Sequence, residues 1–433
     1  MSLIERSIRE KIVLVGVAIP PTTVDEAEAH LDELALLVDT AGADEAARVL
    51  QRRATHDPAT YVGKGKAEEL KQISLEVDAD TVVFDDELTP AQSRNLEKIL
   101  GRTAIDRSAV ILDIFAQNAR TQEGRAQVEL AQLRYRLPRL RGRGKGLSQQ
   151  AGGIGTRGPG ETQIETDRRL ARDRIATLRR RLAHTGQTRG VMRQERERAQ
   201  LPSVALAGYT NAGKSTLLNA LTGASAGTDD RLFHTLDPMT RGFEIGGRAF
   251  LLTDTVGFIR KLPHQLVDAF AATLEETLRA DLIVHVVDAS APEEELVEMS
   301  RAVDDVLEEI GGGDRPRVLA LNKVDLLDDE RRRELSFRHP RAVQVSAATG
   351  EGLDELREAV EVRFLGTLRR MKLLVPYGEG GSLSELHEVA GEMERHETAE
   401  GVRVLARVPA GLAPRFERFA VDGTGGNEAD PSE

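Results

Sequence analysis

The chain has 433 residues, 40% hydrophobic and 30% charged, with a formal net charge of −12, and its length accommodates about two to four domains of about 100–200 residues each. It holds no cysteine, which excludes disulfides and thiolate zinc sites, and no apolar run approaches the roughly 18 residues that span a bilayer. Aromatic residues make up 3%, too few for a large base-stacking platform.

Residues 1–120 read as an N-terminal α/β domain, because strand-like and helix-like runs alternate. "IVLVGVAI" (Ile12 to Ile19) is a first strand; it is short and lacks the small-residue cleavage site of a signal peptide. A helical run, "VDEAEAHLDELALLVD", follows. "TVVFDD" is a second strand, and "TPAQSRNLEKIL" a helix with Thr89 as N-cap and Pro90 just inside. "AVILDIFA" comes next as a further strand-like run. Between them, "YVGKGKAEEL" (Tyr61 to Leu70) places two glycines and two lysines before a helix. It is either a phosphate- or RNA-backbone-binding helix start or a plain loop into an N-cap.

Residues 121–200 read as a basic helical hairpin. Leu130, Leu133, Leu137 and Leu140 form one seam; Ile164, Ala171, Ile175, Leu178 and Leu182 form the other. Pro138 ends or kinks the first helix. From Arg120 to Gln200 there are 20 Lys and Arg against 8 Asp and Glu, a local charge of +12 that leaves −24 for the rest of the chain. Such a basic segment in an acidic protein is an electrostatic footprint for a polyanion. The connecting loop, "RGRGKGLSQQAGGIGTRGPG", is rich in glycine and alternates basic residues with it at Arg141, Arg143 and Lys145, with Arg157 further on. These four are the candidate RNA contacts; the alternative is a flexible linker.

Residues 201–366 carry the strand runs "SVALAG", "AFLLTD", "LIVHVVD", "RVLALNK" and "AVQVSA" with helices between most of them. This is a doubly wound sheet with its ligand at the carboxyl ends of the strands. Residues 371–422 read as a small α+β domain with a hairpin turning at Glu400-Gly401, and 423–433 as a disordered tail.

Four motifs sit at strand ends. "GYTNAGKS" (Gly208, Tyr209, Thr210, Asn211, Ala212, Gly213, Lys214, Ser215) lies between a strand and a helix, the context of a phosphate loop. There Lys214 reaches the β and γ phosphates and Ser215 is the expected Mg²⁺ ligand. "DTVG" (Asp254, Thr255, Val256, Gly257) would hold Mg²⁺ through Asp254 and sense the γ-phosphate at the Gly257 amide. "NKVD" (Asn322, Lys323, Val324, Asp325) reads the base: the Asp325 carboxylate accepts from the guanine ring N–H and amine, which adenine cannot offer. "SAATG" brings Ser346, Ala347 and Ala348 to the base carbonyl. In this order the four define a guanine-nucleotide-binding domain. One position departs from the common pattern. Phe258 stands where many GTPases carry a water-orienting glutamine, so slow intrinsic turnover completed by a partner is expected. Asn211 either helps hold a K⁺ beside the phosphates or only caps the loop.

The switch segment is "DRLFHTLDPMTR" (Asp230 to Arg241), with Thr235 and Thr240 as candidates to complete the Mg²⁺ shell. "FHTLDPMTR", "GYTNAGKSTLLNALT", "TYVGKGKAEEL", "DDELTPAQSRNLEK", "DRSAVILDIFAQNARTQEGRAQVELAQLRYRLPRL" and "GGIGTRGPGETQIETDRR" together resemble the HflX family of translation-factor-class GTPases, nearly continuously over residues 12–366. The resemblance implies a Ras-like GTPase domain hydrolysing GTP. It also implies Thr235 as the switch Mg²⁺ ligand, with Phe233, His234, Leu236 and Asp237 around the nucleotide and Lys214, Thr235 and Gly257 as the catalytic set. His234 departs from the small residue expected there. The resemblance further implies a cytoplasmic monomer, bound to ribosomes or peripherally to membranes. It would bind the large ribosomal subunit and its rRNA, split or rescue stalled ribosomes under stress, and turn over a nucleotide such as ATP at the N-terminal domain. No DNA partner and no membrane span are expected. The alternatives are a ribosome-assembly GTPase, an RNA-remodelling ATPase, or a GTP-state switch that recruits a regulator.

Overall fold

The computed structural model describes residues 9–140, 163–199, 202–223, 232–233, 238–245, 248–261, 277–366, 368–390, 393–409 and 412–421. The candidate RNA contacts Arg141, Arg143, Lys145 and Arg157, the switch residues His234, Thr235, Leu236 and Asp237, and the tail 423–433 lie outside them.

The N-terminal sheet is parallel, in the order β2-β1-β3-β4, from β1 (Lys11–Ala18), β2 (Asp44–Arg52), β3 (Thr81–Phe84) and β4 (Thr103–Asp106). Helix α1 (Val24–Ala41) starts at a capping box between Thr23 and Glu26 and stops at Gly42, whose φ of 93° is left-handed. Helix α2 spans Lys64–Glu76. Helix α3 (Pro90–Leu100) has Thr89 as N-cap, with Gln92 completing the box. The run "AVILDIFA" is not a strand: it lies within α4 (Arg107–Asn118), capped by the Asp106 side chain. An apolar run this short has no readable period when nearly every side is covered, and Val110, Ile111, Leu112, Ile114 and Phe115 are all buried.

β1 leads to β2 on one side and β3 leads to β4 on the other, so the crevice between the carboxyl ends of β1 and β3 is the topological switch point. Asp85 and Asp86 follow β3 at that crevice.

Helices α5 (Gln122–Arg139) and α6 (Gln163–Ala199) pair through Ala126, Leu130, Ile175 and Leu178, with Leu133, Leu137 and Leu182 against them. Pro138 sits in the last turn of α5. Arg174 grips Glu129 with two hydrogen bonds of 2.6 and 2.7 Å.

The second sheet has six strands in the order β10-β9-β8-β5-β7-β6. They are β5 (Ser203–Gly208), β6 (Met239–Ile245), β7 (Arg248–Asp254), β8 (Leu282–Asp288), β9 (Arg317–Asn322) and β10 (Val343–Gln344). All pairings are parallel except β6 with β7. β6 takes up the end of the stretch read as switch: Thr240 lies in it, and its hydroxyl meets that of Thr253 at 3.0 Å.

The last sheet is antiparallel, β11-β13-β12, from β11 (Leu368–Val375), β12 (Met393–Thr398) and β13 (Gly401–Pro409). Thr398 pairs with Gly401, so the hairpin turns at Ala399-Glu400, one residue before the expected position. A Cβ on Gly401 would lie 2.4 Å from the Val375 carbonyl oxygen.

One apolar core joins the first two sheets. Leu31, Leu34, Ile111 and Phe115 of the N-terminal domain belong to the same buried cluster as Tyr209, Phe233, Val256, Phe258 and Ile259. No helix among the described residues is long and apolar enough to cross a membrane.

Candidate nucleotide site

The site lies at the carboxyl ends of β5, β7 and β9. β5 runs close beside β8: a Cβ on Gly208 would lie 2.2 Å from the Val286 carbonyl oxygen. The chain then turns through left-handed conformations at Asn211 (φ 61°) and Gly213 (φ 88°) and enters α7 (Lys214–Thr222). No side chain caps that helix. Its first-turn amides therefore keep the partial positive charge that makes a helix start an anion site.

Lys214, the first residue of α7, is buried. Its Nζ donates to the carbonyls of Gly208 (3.1 Å) and Tyr209 (2.7 Å). Burial pulls its pKa down to about 8, with Asp254 opposing the shift. The Ser215 hydroxyl donates to Asp254 Oδ2 at 2.6 Å. Among the described residues no group of three or more His, Cys, Asp or Glu could hold a metal. The Ser215–Asp254 oxygens are nonetheless the hard donors Mg²⁺ takes when phosphates and water fill its other positions.

The "DTVG" segment folds back on the phosphate loop. The Phe258 amide donates to the Gly208 carbonyl at 3.0 Å, and the Thr210 amide to the Phe258 carbonyl at 2.7 Å. Thr255 donates its hydroxyl to Leu206 O at 2.6 Å, and Val256 is buried. Gly257 has no room for a side chain: a Cβ would lie 2.8 Å from Thr210 Cα and 3.1 Å from Lys214 Nζ. Phe258 is 1% exposed, its ring in the core shared with the N-terminal domain.

At the other end a single amide ties three loops together. Asn322 Nδ2 donates to Ala212 O at 2.8 Å, and Asn322 Oδ1 accepts from the Ala347 amide at 3.0 Å. A Cβ on Gly213 would lie 2.2 Å from that Nδ2. Lys323 is left-handed (φ 66°), with its ammonium 2.7 Å from Asp288. The buried Val324 donates its amide to Val345 O at 3.3 Å, and Asp325 stands exposed beside it. Ser346 is fully buried and its hydroxyl accepts from the Thr349 amide at 3.1 Å; Ala347 is buried and Ala348 exposed.

Residues that the sequence did not single out tie this end of the site to the N-terminal domain. The Tyr209 hydroxyl donates to Glu33 of α1 at 2.5 Å and accepts from the Arg260 amide at 2.7 Å. The Arg260 guanidinium lies 3.4 Å from Glu33 and 2.6 Å from Glu298. Lys261 reaches both Asp85 and Asp86 at 2.5 Å, in the crevice of the N-terminal sheet. Arg107, fully buried, pairs with Glu33 and, at 2.9 Å, with Asp85. Burial pushes the Asp85 carboxyl up while Lys261 pulls it down. Phe233 stacks edge-on against Phe115 (4.7 Å), and its carbonyl accepts from Asn118 at 2.9 Å. The visible signals were the basic pair after "DTVGF" and the acidic pair after "TVVF"; nothing local links them. In "YVGKGK", Tyr61 is buried with its hydroxyl on Asp86, the Gly63 amide donates to Gln51 at 3.3 Å, and Lys66 pairs with Glu69.

A largely parallel sheet with an uncapped phosphate-loop helix, a buried lysine and the "NKVD" and "SAATG" loops at its strand ends defines a P-loop GTPase. Residues 28–116 match the family described as "GTP-binding GTPase N-terminal", 118–196 "GTP-binding GTPase Middle Region", and 203–323 "50S ribosome-binding GTPase". The chain is 46% identical over 411 residues to "GTPase HflX" of Lacrimispora saccharolytica, covering 94% of this chain and 95% of that one. It is 45% identical over 406 residues to "GTPase HflX" of Escherichia coli, covering 92% and 94%. A solved GTP-binding protein from Sulfolobus solfataricus in complex with GDP aligns at a TM-score of 0.42 with 24% identity, covering 82% of this chain and 99% of that chain. The chain belongs to the HflX family of GTPases.

Proposed function

We propose that the protein binds the large ribosomal subunit and uses GTP to split or rescue stalled ribosomes under stress, with turnover that is slow until the subunit is engaged. The observation that carries this reading is the placement of Phe258: its ring is 1% exposed in the core shared with the N-terminal domain, and it offers an attacking water no hydrogen-bonding group. The match of residues 203–323 to a family described as 50S ribosome-binding supports the choice of partner.

In the proposed mechanism Asp325 selects guanine, and Asn322 keeps the base loop in register with the phosphate loop. Ser346, Ala347 and Ala348 form the far wall of the base pocket. Incoming phosphates draw Lys214 off the carbonyls of Gly208 and Tyr209, and the amides of Gly208 to Ser215 wrap them. Ser215 and Asp254, joined in the closed switch by Thr235, would hold Mg²⁺. Mg²⁺ held there would supply positive charge to offset that developing on the phosphates. Gly257 meets the γ-phosphate through its amide. Asn211, left-handed at φ 61°, would help hold a K⁺ where other GTPases insert an arginine. The basic hairpin with Arg141, Arg143, Lys145 and Arg157 engages rRNA.

The test is GTP turnover with and without purified large subunits, in K⁺ and in Na⁺. Stimulation by subunits of roughly 10³-fold or more is expected, with K⁺ above Na⁺. Equal rates in all four conditions contradict both the partner and the potassium assignment.

A further inference from the structure

Strand alternation splits the C-terminal sheet into two unlike faces. Met371, Leu373 and Val375 of β11 and Val402, Val404, Ala406 and Val408 of β13 form its core. Arg370 and Lys372 on β11, and Arg403 and Arg407 on β13, therefore point to the other side. There Arg370 pairs directly with Arg407, and Arg403 stands between Leu374 and His396. Like charges brought together on one sheet face repel, and Arg370, Lys372 and Arg403 all stand exposed on this one. The domain's other side is built differently. Arg369 pairs with Glu417 at 2.9 Å, Arg415 with Glu385 at 3.0 Å and Arg418 with Glu379 at 3.3 Å. On the open face no carboxylate among the described residues lies within ion-pair distance of Arg370, Lys372 or Arg403, and Glu394 is the one acid that β12 contributes to it.

We propose that this face is a contact surface for RNA backbone, read by Arg370, Lys372 and Arg403. The proposal rests on the ribosomal reading above, which brings rRNA within reach. Cations two residues apart along a strand are about 7 Å apart, and neighbouring strands about 4.8 Å. The patch is thus a compact grid of positive charge on a chain whose net charge is −12. Its chemistry favours phosphates over an acidic protein. Protein interfaces are anchored by large apolar or aromatic groups buried at their centre, and this face offers only the half-buried Leu374 and Leu405. Its outward positions carry no Phe, Tyr or Trp and one imidazole, His396, so its cations face backbone rather than a platform of stacked bases.

The test is binding of the full chain, with a non-hydrolysable GTP analogue, to purified large subunits and separately to a short protein-free RNA duplex, over a range of salt. The variant is R370Q/K372Q/R403Q, and its affinity for GDP, expected unchanged, reports an intact fold. Each lost phosphate contact lowers the log–log salt slope by about 0.7–0.9, so a slope smaller by about 2–3 on both probes supports the face. An unchanged slope on the duplex overturns it. Weaker binding to subunits with an unchanged duplex slope also overturns it, because the occupant is then an acidic protein. A wild-type chain that ignores subunits at every salt concentration contradicts the ribosomal reading instead, and the duplex arm still decides the face.

Discussion

The two ends of the nucleotide site are built on opposite plans. At the base end, Asn322 links Ala212 and Ala347, and the buried Ser346 accepts from the Thr349 amide, so the chain's own hydrogen bonds fix these loops to one another. At the phosphate end, Lys214 is turned onto its own loop, the 257–258 segment is hydrogen-bonded across it, and the following residues are held by Glu33, Asp85 and Asp86 of another domain. A preformed base pocket gives selectivity without reorganisation. A γ-phosphate at the Gly257 amide would act three and four residues from Arg260 and Lys261, whose pairs with Glu33, Asp85 and Asp86 would give the nucleotide state a route to the N-terminal domain.

The sharpest way to break the base end is Asp325→Asn. It should lower GTP affinity by roughly 10⁴-fold and favour xanthine nucleotides, because a site built to pair with a polar group rejects the analogue that lacks it; competition binding with the two nucleotides measures this. On the clasp side, Arg107→Met removes the buried cation between Glu33 and Asp85 and leaves them to Arg260 and Lys261. Removing one member of a buried pair costs about 3–5 kcal/mol, and a urea melt should show a loss of that size. Phe258→Gln separates position from chemistry. If the ring's place is the core, the glutamine does not raise turnover and destabilises the protein by about 1–3 kcal/mol through an unpaired buried amide. Faster turnover would put residue 258 at the attacking water.

The smallest effect is a proton. Without nucleotide, burial holds Lys214 at about 8, below its ordinary 10.5. Its charged form therefore weighs against the fold below pH 8, and that penalty is relieved as pH rises from 8 toward 10.5. Bound phosphates favour the charged form. Nucleotide binding should then take up a proton above pH 8 and weaken as pH rises, and calorimetry in buffers of different ionisation enthalpy should detect the uptake. No uptake at pH 8.5 would mean Lys214 is charged before the ligand arrives.

The base and phosphate motifs were legible because each is local: an apolar strand, a loop with fixed residue types, then a helix. The α1 and α3 starts were legible for the same reason, as Thr89 and Pro90 show. The "AVILDIFA" helix was misread because burial on most sides erases its period, and β4 went unread because four residues carry too little pattern. β2, half-buried at the sheet edge, has little apolar alternation to read. The clasp was illegible for a different reason. Tyr209 and Glu33 are 176 residues apart, and a tyrosine inside a phosphate loop carries no mark of the carboxylate it meets.

The direct test of the two-plan site is amide hydrogen exchange with and without a non-hydrolysable GTP analogue. The amides of 257–261 and those of α1 around Glu33 should lose protection when the analogue binds, while 322–326 and 345–348 keep or gain theirs. Equal changes at both ends, or an undisturbed 257–261 segment, would contradict an interdomain clasp that yields to the γ-phosphate.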